Sequence, residues 1–202
     1  QTYSNILVIT SEVQSTAMDL SNKGRDTAII FADGAAAAIL SSNNSNGRGI
    51  LSTHLHTEGQ HAKKLWVEAP SSKSQPRLTP SILKDKKHFL HMDGKEVFKH
   101  AINRFPEVII EGLNYNNLSI NDIDLLIPHQ ANARISKMVQ KKLGLSDNQI
   151  ISNIHKYGNT TSASIPIALN EALIENKLNK GDILVLAAFG SGFSWGSAIL
   201  KW

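Results

Sequence analysis

Cysteine is absent from the 202-residue sequence. Its absence excludes a disulfide framework, a thiolate metal site and a cysteine nucleophile within these residues. Long apolar runs are absent as well, because no stretch reaches the length of a membrane span. A large excess of one charge is also lacking, since 21 Lys and Arg against 17 Asp and Glu leave a net charge of only +4. This mild basicity suits an acidic partner on one face but is too weak to indicate nucleic-acid binding.

The composition is that of a globular protein. Hydrophobic residues make up 41% and charged residues 19%, with 13 Gly and 6 Pro, which excludes the disordered, collagenous and low-complexity classes. The length fits one large domain or two small ones. The chain begins with Gln1 rather than Met, so we expect a processed, cleaved or engineered end. Residues 1–20 lack the basic-then-apolar pattern of a secretory signal.

The order of apolar runs predicts an α/β layered fold. In the first part we expect a strand at 5–10, a hairpin at 26–40 that turns at Asp33-Gly34, a polar loop at 41–49 and a strand at 50–57. Irregular surface structure is expected at 58–91, where three prolines lie among serines and lysines. The last part alternates between helix and strand. We expect helices at 94–113 (kinked or bounded at Pro106), 131–143 and 161–176, and strands at 123–127, 149–153, 182–189 and 193–200.

Polar residues or glycines stand at the ends of three of these predicted strands. The segment 128–134 (PHQANAR) follows one strand, 153–162 (NIHKYGNTTS) follows the next, and 189–193 (FGSGF) forms a Gly-rich turn between two apolar strands. Open α/β sheets bind ligands at such strand ends. We therefore expect the three segments to converge on one pocket.

The same segments resemble those of a known family. IPHQANARI, NIHKYGNTTSASIPIAL and AAFGSGFSWGSAIL are similar to the three C-terminal signatures of 3-oxoacyl-acyl-carrier-protein synthase III, of the thiolase-like superfamily. HMDGKEVFKHA and DTAIIFADGAAAAIL resemble two earlier segments of that family, in order, so the resemblance covers nearly the whole chain. It implies a thiolase-like layered fold of two similar halves. Residues 1–93 would be the end of the N-terminal half with connecting loops, and 94–202 the C-terminal half.

The resemblance implies a decarboxylative Claisen condensation of an acyl-CoA with malonyl-acyl carrier protein, the step that initiates fatty acid synthesis. It implies no cofactor, a cytoplasmic enzyme, an acyl carrier protein as partner, a homodimer at full length, and neither nucleic acid nor membrane as partner. The family's cysteine nucleophile lies upstream of the strand that matches NILVIT and has no counterpart here. We therefore expect this chain to be part of such an acyltransferase and to be inactive alone.

The resemblance also assigns roles to individual residues. His129 and Asn159 match the donors that hold the negative charge of the enolate formed by decarboxylation. The backbone N–H of Ser191 matches a donor to a second oxyanion, although glycine is commoner there. The other matched positions are Asn132 and Gly94, which line the family's pantetheine tunnel, and Lys99, Arg134 and Lys141, which belong to its carrier-protein docking face.

Plain structural roles compete with some of these assignments. Asn159 or Thr160 could cap the helix predicted to follow. Gly190 and Gly192 could be ordinary turn glycines, and both interpretations can hold together.

The histidines near the end of the predicted strand at 50–57 raise the question of a metal. His54, His56 and His61 lie close in sequence to Glu58 but show no fixed ligand motif. We therefore expect a solvated strand and loop there, and no metal at the site.

Two other functions remain open from the sequence. One is a related condensing enzyme of aryl-polyene or resorcinol type, which resembles the same signatures. The other is a non-catalytic thiolase-like subunit that supports an active partner. The presence of both His129 and Asn159 argues against the second, because an inactive partner has no need of them.

Overall fold

The computed structural model describes residues 3–42 and 47–202. Within these residues the strands are β1 (Asn5–Glu12), β2 (Gly34–Ser41), β3 (Gly49–Thr57), β4 (Leu65–Val67), β5 (Leu90–Met92), β6 (Leu125–Pro128), β7 (Ile183–Gly190) and β8 (Ser194–Lys201). The α-helices are α1 (Arg25–Ala28), α2 (Pro80–Lys84), α3 (Gly94–Tyr115), α4 (Ala133–Leu143), α5 (Ile154–Tyr157) and α6 (Ser164–Ile174). No helix of the described residues is long and apolar enough to cross a membrane.

The main sheet has four strands in the order β3-β8-β7-β6. β6 and β7 run parallel, whereas β7–β8 and β8–β3 are antiparallel. β1 pairs with β2, and β4 with β5, in separate antiparallel pairs. Because β3 comes from the segment before residue 93, the main sheet combines strands from both sides of the proposed division at that residue.

Helices cover both faces of the main sheet. Neighbouring residues of β7 and β6 point to opposite faces, as the pleat requires. Val185 and Leu126 join the core cluster formed with α3 and α4. Leu184 and Leu125 join a second cluster formed with α6. The layered α/β architecture expected from the sequence is thus confirmed.

Most predicted elements are confirmed with boundaries shifted by a few residues. α3 continues through the buried Pro106 to Tyr115, so the proline does not end the helix. α4 ends where expected, at Gly144, whose φ of 68° is the left-handed conformation that terminates helices. The helix predicted at 161–176 begins with a 3-10 turn, Thr161–Ala163, and continues as α6.

The hairpin predicted at 26–40 is wrong. β2 pairs with β1 instead, from Glu12↔Gly34 to Asn5↔Ser41, and the residues before it form the short α1. Asp33 lies outside any turn. Its carboxylate accepts two hydrogen bonds from Ser15, one from the backbone N–H at 2.8 Å and one from the serine hydroxyl at 2.7 Å. A Cβ on Gly34 would lie 2.8 Å from Thr160 Cβ, so this glycine serves close packing at the start of a strand.

The strand predicted at 149–153 is also wrong. Only Ile150 forms an isolated parallel bridge, to Leu126. The side chain of Gln130 takes the place of a ladder partner: Nε2 donates to Ile151 O at 3.3 Å, and Oε1 accepts the Asn153 N–H at 3.0 Å. A buried glutamine therefore satisfies backbone groups that a longer strand would have paired.

The segment predicted to be irregular at 58–91 contains more regular structure than expected. It includes a 3-10 helix at Gly59–Lys64, the strand β4, the helix α2 and the start of β5. Of the polar loop predicted at 41–49, residues 43–46 lie outside the described residues.

Candidate active site

The carboxyl ends of β6 and β7 lie side by side because the two strands run parallel. His129 follows β6 directly, and its backbone N–H donates to Ala187 O of β7 at 2.7 Å. A cavity of about 860 Å³ opens beside these strand ends. Its walls include His129, Asn159 and Gly190, one from each of the three segments that the sequence singled out. The structure therefore brings the three segments to one pocket.

A serine hydroxyl fixes the imidazole of His129. Nδ1 lies 2.6 Å from Oγ of Ser164, the first residue of α6. The same oxygen accepts the backbone N–H of Gln130 at 3.3 Å. When the hydroxyl donates its proton to Nδ1, the neutral ring carries its own proton on Nε2. Burial lowers the pKa of His129 to about 4, so the ring is neutral at pH 7 and has one N–H to donate.

Asn159 is held through both its backbone and its side chain. Its backbone N–H donates to Ile30 O at 2.8 Å, and its carbonyl accepts the Ala32 N–H at 2.9 Å. Oδ1 accepts the Thr161 N–H at 2.9 Å, and Nδ2 lies 3.4 Å from Ala131 O. The capping role considered from the sequence is not seen, because the N-cap of the 3-10 turn Thr161–Ala163 is Thr160 and its side chain makes no capping bond. The contact from Thr161 is instead a local turn that occupies Oδ1 of Asn159, and Nδ2 faces the segment that follows β6, where His129 lies.

Glycine is required immediately before Asn159. Gly158 has a φ of 71°, and a Cβ there would lie 3.0 Å from Ala32 Cβ. The Gly-Asn pair thus lets the chain pass closely against the segment before β2 while presenting the asparagine amide.

The Gly-rich turn between β7 and β8 forms another wall of the cavity. Ser191 lines it, and Ser191 Oγ donates to Leu65 O of β4 at 2.6 Å. Its side chain is thereby tied to β4, while the turn keeps the glycines on either side. Gly192 has a φ of 136°, and a Cβ there would lie 2.7 Å from Ser194 N, so the turn-glycine interpretation holds for this residue.

Asn132 and Gly94 line the same cavity at the N-termini of α4 and α3. Asn132 caps α4, since its Oδ1 accepts the Arg134 N–H at 2.9 Å. The cap leaves the amide NH₂ of Asn132 free of that bond. A Cβ on Gly94 would meet no described atom within 4 Å, so packing does not explain the glycine.

The three basic residues assigned to docking are not all in one groove. Arg134 lines the cavity and also a groove of about 550 Å³ along α4, and Lys141 lines that groove too. Lys99 is exposed on α3, where its Nζ lies 3.9 Å from Glu96 Oε1, and it lines neither space.

Sequence reasoning missed several residues of the site. Gln130 and Ser164 lie within the motifs, yet nothing in their spacing marked them as supports of the loop and of the imidazole. Lys95 and Glu12 line the cavity from α3 and from the end of β1. The hydroxyl of Ser162 lowers the pKa of Glu12 by donating a hydrogen bond to the carboxylate. Lys95 and Glu12 lie far from the three segments in sequence, so no motif could have joined them to the site.

The histidines near β3 fall into two groups. His54 Nδ1 and His56 Nε2 lie 3.3 and 2.6 Å from the carboxylate of Glu111 on α3. His61 instead contacts Glu58, at 3.4 Å, and its ring centroid lies 4.4 Å from that of His100. His100 comes from α3, so its spacing along the chain could not join it to the other histidines.

Comparisons with known proteins agree with the resemblance. Residues 1–59 match the family model described as 3-oxoacyl-[acyl-carrier-protein (ACP)] synthase III, and residues 113–202 match that of its C terminal. Beta-ketoacyl-[acyl-carrier-protein] synthase III of Campylobacter concisus (strain 13826) is 42% identical over 197 residues. The protein of the same name from Campylobacter jejuni subsp. jejuni serotype O:6 is 44% identical.

Each of these alignments covers 98% of this chain and 57% of the relative. The solved structure of beta-ketoacyl-[acyl carrier protein] synthase III from Thermus thermophilus superposes with a TM-score of 0.88 at 34% identity. That match covers 98% of this chain and 59% of the other. The chain therefore spans less than two thirds of the length of the proteins it matches.

Proposed function

Because the chain belongs to the 3-oxoacyl-[acyl-carrier-protein] synthase III family, we propose that it provides the decarboxylating part of a condensing enzyme. The reaction is the decarboxylative Claisen condensation of an acyl-CoA with malonyl-acyl carrier protein, which initiates fatty acid synthesis. One observation carries the proposal. His129 and Asn159, each held by hydrogen bonds that leave an N–H group to donate, line one cavity at the ends of buried strands.

Decarboxylation breaks the bond between the malonyl carboxylate and its neighbouring carbon. CO₂ leaves, and the electron pair forms an enolate whose negative charge lies on the thioester oxygen. The Nε2–H of His129 and the amide NH₂ of Asn159 donate to that oxygen. Donors held in a fixed orientation stabilise such a charge without having to reorient.

The neutral state of His129 suits this role. A ring whose pKa is lowered to about 4 is neutral at pH 7 and has a single N–H to donate to the enolate oxygen. The enolate carbon then attacks the acyl thioester formed on the family's cysteine, and the sulfur leaves as thiolate. The backbone N–H of Ser191 donates to the oxyanion of that step. The cysteine itself has no counterpart in this chain.

The substrates and partners follow from the same assignments. Asn132 and Gly94, at two helix N-termini on the cavity wall, contact the pantetheine arm shared by CoA and the carrier protein. Arg134, Lys141 and Lys99 form the docking face for the acidic carrier protein, and we also propose a homodimer. The chemistry needs no cofactor, since each step moves electron pairs within the two substrates and the sulfur.

A chimera tests this proposal. The matching region of the Campylobacter jejuni synthase is replaced by this chain, so that the relative supplies the remaining 43% of its length, including the family's cysteine. We expect His129→Ala and Asn159→Ala each to lower malonyl decarboxylation about 10²–10³-fold. Acylation of the cysteine should persist, because these donors act on the enolate and not on the first attack of the thiol.

Retained acylation also shows that each variant is folded. Decarboxylation at the unsubstituted rate in both variants would refute the assignment. A chimera that is acylated but decarboxylates at the level of its His129→Ala variant would favour the non-catalytic subunit instead.

A further inference from the structure

Glu58, His61 and His100 place three metal-ligating atoms within 4.8 Å of one another, and none of the three residues lines the cavity. They come from three places in the fold: Glu58 follows β3, His61 lies in the 3-10 helix Gly59–Lys64, and His100 lies in α3. All three are half-buried. Ligands from separate segments that converge at such spacing differ from a charge run on one exposed helix face.

The distances between these ligand atoms are close to those around a tetrahedral zinc ion. Ligand atoms 2.0–2.2 Å from zinc lie about 3.4 Å apart in tetrahedral geometry. His61 Nε2 and Glu58 Oε2 are already 3.4 Å apart. The ligand atom of His100 lies within 4.8 Å of both and completes a set of three.

Neighbouring groups hold these side chains in place. The Glu58 backbone N–H donates to Phe193 O at 2.7 Å. The rings of His61 and His100 pack on the fully buried Phe193, with centroids 5.0 and 5.1 Å away. Arg104 hydrogen-bonds to Glu58 Oε1, which leaves Oε2 turned toward His61. Such supporting contacts orient metal ligands and are a usual part of metal sites.

The local charge is compatible with a cation. Arg104 also pairs with Glu107, at 2.7 Å, so its positive charge is shared between two carboxylates. Glu96 adds another carboxylate 3.6 Å from His100 Nε2. The positive charge of Arg104 still lowers the affinity for a metal, and we expect binding in the micromolar range rather than tighter.

We propose that Glu58, His61 and His100 bind one Zn²⁺ ion, with water in the fourth position. Two imidazoles and one carboxylate are a zinc donor set, whereas Mg²⁺ and Ca²⁺ prefer oxygen ligands alone. This goes against the expectation from the sequence, which did not include His100. The ion would tie the 3-10 helix to α3 beneath Phe193, next to the Gly-rich turn, and the proposal does not depend on the condensation activity.

Calorimetric titration of the metal-free 202-residue chain with ZnCl₂ tests this site. We expect one Zn²⁺ per chain and a rise in melting temperature with added Zn²⁺, as ligand linkage requires. Co²⁺ in place of Zn²⁺ should give the visible absorption of a tetrahedral complex. His100→Gln and His61→Gln should each weaken Zn²⁺ binding at least 10-fold and remove that absorption.

Two matched variants serve as controls. His155→Gln removes an exposed histidine of α5 outside the cluster, and His56→Gln removes one from the neighbouring group around Glu111. Both should bind Zn²⁺ as the unsubstituted chain does. The proposal is overturned if the unsubstituted chain takes up no Zn²⁺ at one per chain, or if His56→Gln abolishes binding while His100→Gln keeps it. The melting curve without metal identifies any variant that has lost its fold, and the other ligand variant then decides.

Discussion

Nδ1 of His129 and Oγ of Ser164 lie 2.6 Å apart and join the end of β6 to the first residue of α6. The same oxygen accepts the Gln130 N–H at 3.3 Å, so one hydroxyl group contacts both the imidazole and the backbone that follows it. When its proton goes to Nδ1, the ring's own proton lies on Nε2. Ser164 acts through His129 and is a positioning residue.

Replacing Ser164 with Ala should release this control. We expect the neutral ring of His129 to populate both tautomers, seen as a change in its ¹⁵N chemical shifts. In the chimera we expect malonyl decarboxylation to fall about 10-fold, less than the ~10²–10³ expected when the donor itself is removed. Ser164→Thr keeps the hydroxyl and should restore both readouts.

Ser197→Ala is the matched control for this variant. Ser197 is also a buried serine, but its hydroxyl donates to Val108 O on α3. It should leave the ¹⁵N shifts of His129 unchanged. If Ser164→Ala left them unchanged as well, the tautomer would be determined by other contacts.

The sequence was sufficient for features that depend on local pattern. Alternation of side chains predicted β3, apolar segments predicted β7 and β8, and the glycine at 144 predicted the end of α4. Contacts between distant segments were not accessible in this way. Asp33-Gly34 carries the sequence of a tight turn, yet hydrogen bonds to Ser15 and packing against Thr160 make it the start of a strand.

The same distinction applies to the candidate site. The family resemblance located His129 and Asn159, and only His129 follows a buried strand, because the strand predicted before the segment of Asn159 is reduced to an isolated bridge. Ser164 and Gln130 could not be assigned from the sequence, because their roles depend on how a helix and a loop are packed around the imidazole. His100 was missed for the same reason, since α3 meets the 3-10 helix only in the folded chain.

The lowered pKa of His129 predicts how the free energy of unfolding depends on pH. In the unfolded chain a histidine binds a proton below about pH 6.5, whereas in the folded chain the pKa of His129 is about 4. Between these values the unfolded state holds more protons, so the free energy of unfolding decreases as the pH falls. From pH 7 to pH 5 this amounts to at most about 2 kcal/mol.

Urea unfolding at the two pH values measures this effect. His129→Gln has no imidazole at this position and should lose less stability between pH 7 and pH 5 than the unsubstituted chain does. His155→Gln, which also removes one histidine but from an exposed position, should keep the full decrease. Equal pH dependence in His129→Gln and the unsubstituted chain would show that burial does not disfavour protonation of this ring.

Charge reversal tests the docking face. Replacing Lys99, Arg134 and Lys141 with Glu in the chimera should raise the apparent KM for malonyl-carrier protein several-fold more than that for malonyl-CoA. Exposed charges steer association with an acidic protein, and salt screens them. The difference between the two substrates should therefore shrink as ionic strength rises.

The control carries the same change in net charge elsewhere. Lys23, Lys73 and Lys180 are exposed lysines outside the cavity and the groove. Replacing all three with Glu should affect both substrates alike. If both triple variants changed the two KM values in the same way, Lys99, Arg134 and Lys141 would be ordinary surface charges and not a docking face.

The exposed apolar residues of β1 predict that the chain self-associates. Ile6, Leu7, Val8 and Ile9 are successive residues, so they point to both faces of the strand, and they are 42–66% exposed. Among the described residues, β1 pairs only with β2, which leaves its other edge without a ladder partner. Adjacent exposed apolar side chains on an unpaired strand favour association with another copy.

We therefore expect the 202-residue chain to self-associate at micromolar concentration, measured as a concentration-dependent mass by light scattering. Ile9→Lys should lower that mass, because a charge on the strand opposes both burial of the face and pairing of the edge. Ile174→Lys changes a residue of similar exposure, 71% against 66%, at the end of α6, and should leave association unchanged. A monomer at all concentrations, with one sharp cooperative melt, would show that these residues form a stable unit whose apolar strand is tolerated in water. Equal loss of association in both lysine variants would instead indicate that general surface hydrophobicity, and not β1, drives the contact.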